Sequence, residues 1–148
     1  TMSWFIVAMQ VGMWLGYVSF GYITDVVPRK RVYVTYLVAA SLLLPIYGSI
    51  RIPVVLLLLG PLVAFFGTGF FSGFGAVTAE VYPTTIRATA QGFTYNLGRI
   101  ASAAAPFTIG KLATLNGFSF AFSVAGAVYL LGALAWTFIP ETRGRELT

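Results

Sequence analysis

Five mostly apolar stretches, roughly residues 4–24, 32–48, 54–81, 88–110 and 117–139, take up nearly the whole chain, and almost every charge falls in the joints between them. A helix that crosses a bilayer needs about 20 such residues. Within hydrocarbon every peptide group must find its partner inside the protein, so such stretches fold as helices or as a closed barrel. Period-two alternation is absent over these lengths, which sets the barrel aside. Only 9% of the 148 residues are charged and 58% are hydrophobic, against about 25% charged in a soluble domain. That excludes an ordinary water-soluble globule, and equally a disordered tail. The sequence predicts an all-α integral membrane protein with five transmembrane helices.

The residue inventory narrows the chemistry. Cysteine and histidine are both absent, which removes thiolate sites, the commonest metal ligand and the usual proton shuttle at neutral pH. No acid pair lies within a span. The Gly-x-Gly pairs sit in apolar helix, without the strand–turn–helix setting of a nucleotide site. An enzyme is therefore not expected, and neither is a bound cofactor. The formal charge of +5 has no soluble basic face to gather on, so nucleic acid is not an expected partner. Membrane lipids are.

Lysine and arginine counts give an orientation. Arg29, Lys30, Arg31, Arg87, Arg143 and Arg145 fall on one side, and Arg51 and Lys111 on the other. The richer side is the cytoplasmic one, so the C-terminus is expected there and the N-terminus outside. A multi-pass protein of the plasma membrane, the inner membrane in a Gram-negative bacterium, follows. An odd number of spans with an external start and no basic leader fits a fragment better than a complete protein.

Several residues do not belong in lipid for packing reasons alone. The third span carries Gly60, Gly67, Gly69, Ser72, Gly73, Gly75 and Ala76, a density that permits close helix approach or flexing. Gly60-Pro61 is the expected bending point, since proline donates no ladder bond. Arg99 stands about 11 residues into the fourth span, roughly 16 Å along its axis, near the bilayer middle. A cation there is costly unless it is paired or lines a polar cavity. Gln91, Tyr95 and Arg99 follow at i, i+4, i+8 on one helix face, with Asn96 beside them. That set suits a carboxylate bearing hydroxyls; the alternative is an arginine buried for structural reasons. Asp25, Glu80 and Arg87 stand at cytoplasmic helix ends near Arg29-Lys30-Arg31, and Asp25 and Arg29 can pair if one helix carries both.

Gly21-Tyr22-Ile23-Thr24-Asp25 followed by Arg29-Lys30-Arg31 resembles the loop motif after the second helix of each half in the major facilitator superfamily. Val26 and Pro28 depart from it, where a basic residue and a glycine are usual. Glu80-Val81-Tyr82-Pro83-Thr84 with Arg87 resembles the loop after the tenth helix in sugar porters and metabolite:proton symporters. Pro140-Glu141-Thr142-Arg143-Gly144-Arg145 is similar to the motif that closes the twelfth. The resemblance makes the five spans helices eight to twelve of a twelve-helix transporter, the C-terminal half without its first helix. It implies two six-helix bundles with substrate at the midplane between them, and an N-terminal half as partner. It also implies a cytoplasmic charge network of Gly21, Asp25, Arg29, Arg31, Glu80 and Arg87, with Arg99 facing the central cavity.

The third span lacks the Gly-Pro-x-Pro-x-x-Trp pattern common in sugar porters, and residues 87–99 look more like proton symporters of carboxylates. The expected activity is alternating-access, proton-coupled uptake of a small organic anion, a monocarboxylate or an acidic sugar. The substrate residues would be Arg99, Asn96, Tyr95 and Gln91, and the proton would be the coupling ion. A neutral-sugar carrier of the same superfamily, an oligomeric five-helix channel and a non-transporting membrane component are the alternatives.

Overall fold

A computed structural model of the chain describes residues 2–141. Its elements are α1 (Met2–Val26), α2 (Arg29–Ser49), α3 (Pro53–Gly69), a 3₁₀ turn (Phe70–Gly73), α4 (Phe74–Val81), α5 (Arg87–Ala103), α6 (Ala105–Asn116) and α7 (Phe118–Phe138). Prolines set most of the boundaries. The residue before a proline is pushed out of helical geometry. Ile52, Tyr82 and Ile139, which precede Pro53, Pro83 and Pro140, are accordingly extended, with ψ of 116°, 137° and 131°. Gly117 joins α6 to α7 at φ +89°, a backbone state only glycine enters freely.

Among the described residues, Met2–Val26, Arg29–Ser49, Pro53–Val81 and Phe118–Phe138 are long and apolar enough to cross a membrane. They coincide with four of the five expected spans. The stretch expected to form the fourth, residues 88–110, comes as α5 and α6, which meet at Ala104, a residue that itself keeps helical angles (φ −76°, ψ −21°). Pro106 accounts for the interruption: it cannot bond the carbonyl of Ser102, and its ring crowds the turn before it. At the start of a new helix the same proline costs nothing.

Two helix pairs carry the packing. The faces of α1 and α3 meet through Gly12 and Gly16. A Cβ on Gly12 would lie 2.3 Å from the Pro61 carbonyl oxygen, and one on Gly16 would lie 2.5 Å from that of Phe65. This is the small-xxx-small contact by which membrane helices approach. The α2–α7 pair closes in the same way, a Cβ on Gly126 falling 2.7 Å from the Ser41 carbonyl oxygen. The Tyr129 hydroxyl donates to the Gly67 carbonyl at 2.8 Å and ties α7 to α3.

Between the pairs lies an aromatic core. Phe20 is fully buried and sets its ring edge-on to Tyr33 and Tyr36, with centroids 4.8 and 5.1 Å apart. Tyr33 stacks on Trp136 at 4.0 Å. Gly73 leaves room for Phe20 and for the Tyr33 hydroxyl. Large apolar side chains such as Trp4, Trp14, Leu58 and Leu131 stay exposed, an outer surface suited to lipid rather than water.

Helix continues through Gly60-Pro61 to Gly69, and the 3₁₀ turn follows at Phe70–Gly73. Pro61 lies in the closest contact of the α1–α3 pair.

Candidate functional site

The basic residues Arg29, Lys30 and Arg31 open α2. The N-terminus of a helix carries unsatisfied N–H groups and the positive end of the macrodipole, so three cations there are unfavourable unless anions join them. Pro28, the preceding residue, supplies no side-chain cap. Two carboxylates arrive from distant parts of the chain instead.

Glu80, near the end of α4, forms a salt bridge with Arg29 in which the side chains are only 12% and 18% exposed. Glu141, just beyond α7, accepts the backbone N–H of Arg29 at 3.2 Å and that of Lys30 at 3.1 Å, one on each carboxylate oxygen. Lys30 Nζ donates to the Thr137 carbonyl at 2.6 Å. Three helix ends are thereby fastened at one place.

Of the expected charge network, the structure thus brings Arg29 and Glu80 together. Asp25 and Gly21 line a cavity of about 530 Å³ with Arg29, Tyr17, Tyr22 and Ser72. The helix that would have paired Asp25 with Arg29 does not persist, because it breaks at Val27-Pro28. Arg87 Nε donates to the Tyr82 carbonyl at 3.3 Å and braces the corner between α4 and α5. Arg31 takes a separate direction and lines a recess with Tyr36, Phe65 and Phe66. Arg143 and Arg145 lie outside the described residues.

The four residues expected to bind substrate all sit on α5, a helix with no buried residue. They are not equivalent. Gln91 Nε2 donates to the Gly75 carbonyl at 3.0 Å and to Thr78 Oγ1 at 2.8 Å, so it docks α5 on α4. The Asn96 amide turns back to the Gly92 carbonyl at 2.8 Å. Tyr95 packs against Phe71 and Phe74, with centroids 6.2 and 5.9 Å away. The Arg99 guanidinium lies 5.7 Å from the Tyr95 ring centroid, within cation–π range. Arg99 is exposed, and it has no ion-pair partner among the described residues.

Sequence reasoning missed two contacts. The capping role of Glu141 was foreshadowed by a run of bases opening a helix behind a proline that cannot cap it. The 2.6 Å hydrogen bond between the Tyr82 hydroxyl and Thr94 Oγ1 left no such trace, since it depends on how the Pro83 corner folds.

The sequence model of the Major Facilitator Superfamily matches residues 1–148. A protein of Haemophilus influenzae whose name provisionally assigns it to metabolite transport is 32% identical over 140 residues, 94% of this chain and 33% of that one. A Bacillus subtilis protein provisionally named as a niacin/nicotinamide transporter is 34% identical over 146 residues, 97% of this chain and 36% of its own. The cis,cis-muconate transport protein of Acinetobacter baylyi is 35% identical over 146 residues, 95% of this chain and 34% of its own. The chain spans about a third of the length of these relatives.

Proposed function

Since the chain belongs to the Major Facilitator Superfamily, we propose that it is part of a secondary transporter that moves a small organic anion by alternating access, with a proton as the coupling ion. The observation that carries this reading is Arg99. A guanidinium placed well along a helix, exposed, resting on an aromatic ring and without a carboxylate partner among the described residues is positioned to receive a substrate carboxylate. Muconate, in the name of one relative, and niacin, paired with the neutral amide nicotinamide in the name of another, are small carboxylates. Those names also support transport rather than catalysis.

In this reading α5 faces a central cavity shared with the N-terminal half, and the five stretches correspond to helices eight to twelve. The cluster of Arg29, Glu80 and Glu141 is at the cytoplasmic end and closes the bundle there while the outer side is open. Asp25 and Glu80 stand at helix ends rather than at mid-membrane, so the proton carrier belongs to the other half. The protein resides in the plasma membrane, or the inner membrane of a Gram-negative cell, with its C-terminus in the cytoplasm.

The test is uptake of labelled organic acids and neutral sugars into cells producing the full-length protein. Wild type is compared with Arg99→Ala and Arg99→Lys, with and without a proton gradient. Carboxylate uptake that depends on the gradient and is lost in both variants at equal surface expression is the expected result. Unchanged anion uptake, or uptake of neutral sugar alone, overturns the organic-anion reading.

A further inference from the structure

Arg29 and Arg31 are two residues apart at the start of α2, yet they serve different surroundings. Arg29 is committed to Glu80. Arg31 is exposed and has no ion-pair partner among the described residues. It lines a recess of about 320 Å³ bounded by the end of α1, the first turns of α2 and the last turns of α3. The other walls include the apolar Ile23, Phe65 and Phe66, together with Thr35 and Tyr36.

All three helices belong to the segments long and apolar enough to cross a membrane, and the recess has a single cation at one end. Part of a single hydrocarbon chain fits this space.

We infer that this recess is a site for one anionic phospholipid, with its phosphate on Arg31 and an acyl chain along Ile23, Phe65 and Phe66. Charge complementarity selects the headgroup, and the apolar walls hold the chain.

The experiment is native mass spectrometry of the purified full-length protein, titrated with phosphatidylglycerol or with phosphatidylcholine of the same acyl chains. One phosphatidylglycerol is expected to bind about fivefold more tightly than phosphatidylcholine, the effect of one basic residue at an anionic headgroup. Arg31→Gln is expected to abolish that preference, Arg31→Lys to keep most of it, and Arg51→Gln, at the other end of the bundle, to leave it unchanged. Thr35→Trp, which fills the recess from an exposed position, is expected to weaken both lipids. Two results overturn the inference. One is a preference that survives Arg31→Gln. The other is displacement by millimolar inorganic phosphate, which would make the site one for a free anion.

Discussion

Arg29 at the start of α2 and Glu80 at the end of α4 form an ion pair largely removed from water, 51 positions apart in sequence. Removing one partner strands a charge in a place that cannot hydrate it, which costs about 3 kcal/mol or more. Removing both with apolar side chains of similar size costs far less. Glu80→Gln and Arg29→Met are therefore each expected to lower the melting temperature in detergent, and the Arg29→Met/Glu80→Met pair to recover much of the loss. Equal and additive losses would show that the two groups are not coupled.

Glu141 contributes differently. Its two oxygens take the N–H groups of Arg29 and Lys30, so it acts as a cap supplied from the far end of the chain. Glu141→Ala is expected to destabilise by about 1 kcal/mol, the usual effect of losing a helix cap. Amide exchange should rise in the first turn of α2 while α3 is unaffected. Protection that stays the same in that turn would remove Glu141 from this role.

The reading of five apolar stretches anticipated most of the helices, because hydrophobic length and proline positions are local properties. Pro28, Pro53, Pro83 and Pro140 mark boundaries in sequence and in structure alike. What could not be read was which distant residues meet. Nothing local at Arg29 points to Glu80; the pair is made across 51 positions by side chains reaching from the start of α2 and the end of α4. Likewise Gln91, Tyr95 and Arg99 do share a helix, but the nearness of α4 turns Gln91 inward to Thr78 and leaves Arg99 outward.

Gly12 and Gly21 lie on the same helix and should respond in opposite ways. A methyl group on Gly12 would collide with the backbone of Pro61, whereas one on Gly21 meets nothing within 4 Å. Gly12→Ala forces α1 and α3 apart, and overpacking of that kind costs about 1–3 kcal/mol. Gly21→Ala gains helix propensity of up to about 1 kcal/mol. Thermal unfolding of the two variants side by side is the measurement, and a Gly12→Ala protein as stable as wild type would mean that the helices are not in contact there.

Gln91 separates docking from substrate binding on α5. Its amide makes two hydrogen bonds to α4, to the Gly75 carbonyl and to Thr78 Oγ1, while the neighbouring Tyr82–Thr94 bond spans the same corner. Gln91→Leu leaves both acceptors without that donor and is expected to cost about 1–2 kcal/mol in stability. Because Tyr82 still holds the corner, the variant should remain folded, and Gln91→Leu/Tyr82→Phe should lose more than either change alone. A residue that docks a helix changes stability and lowers the transport rate for all substrates alike. One that contacts substrate raises KM for some substrates and leaves the melting temperature alone. Gln91, bonded to α4, is expected in the first group, and Arg99, exposed and with no ion-pair partner among the described residues, in the second if the proposed function holds. Transport assays and melting curves on Gln91→Leu and Arg99→Lys together decide it: a KM effect confined to Gln91→Leu, with its melting temperature unchanged, would reverse the assignment.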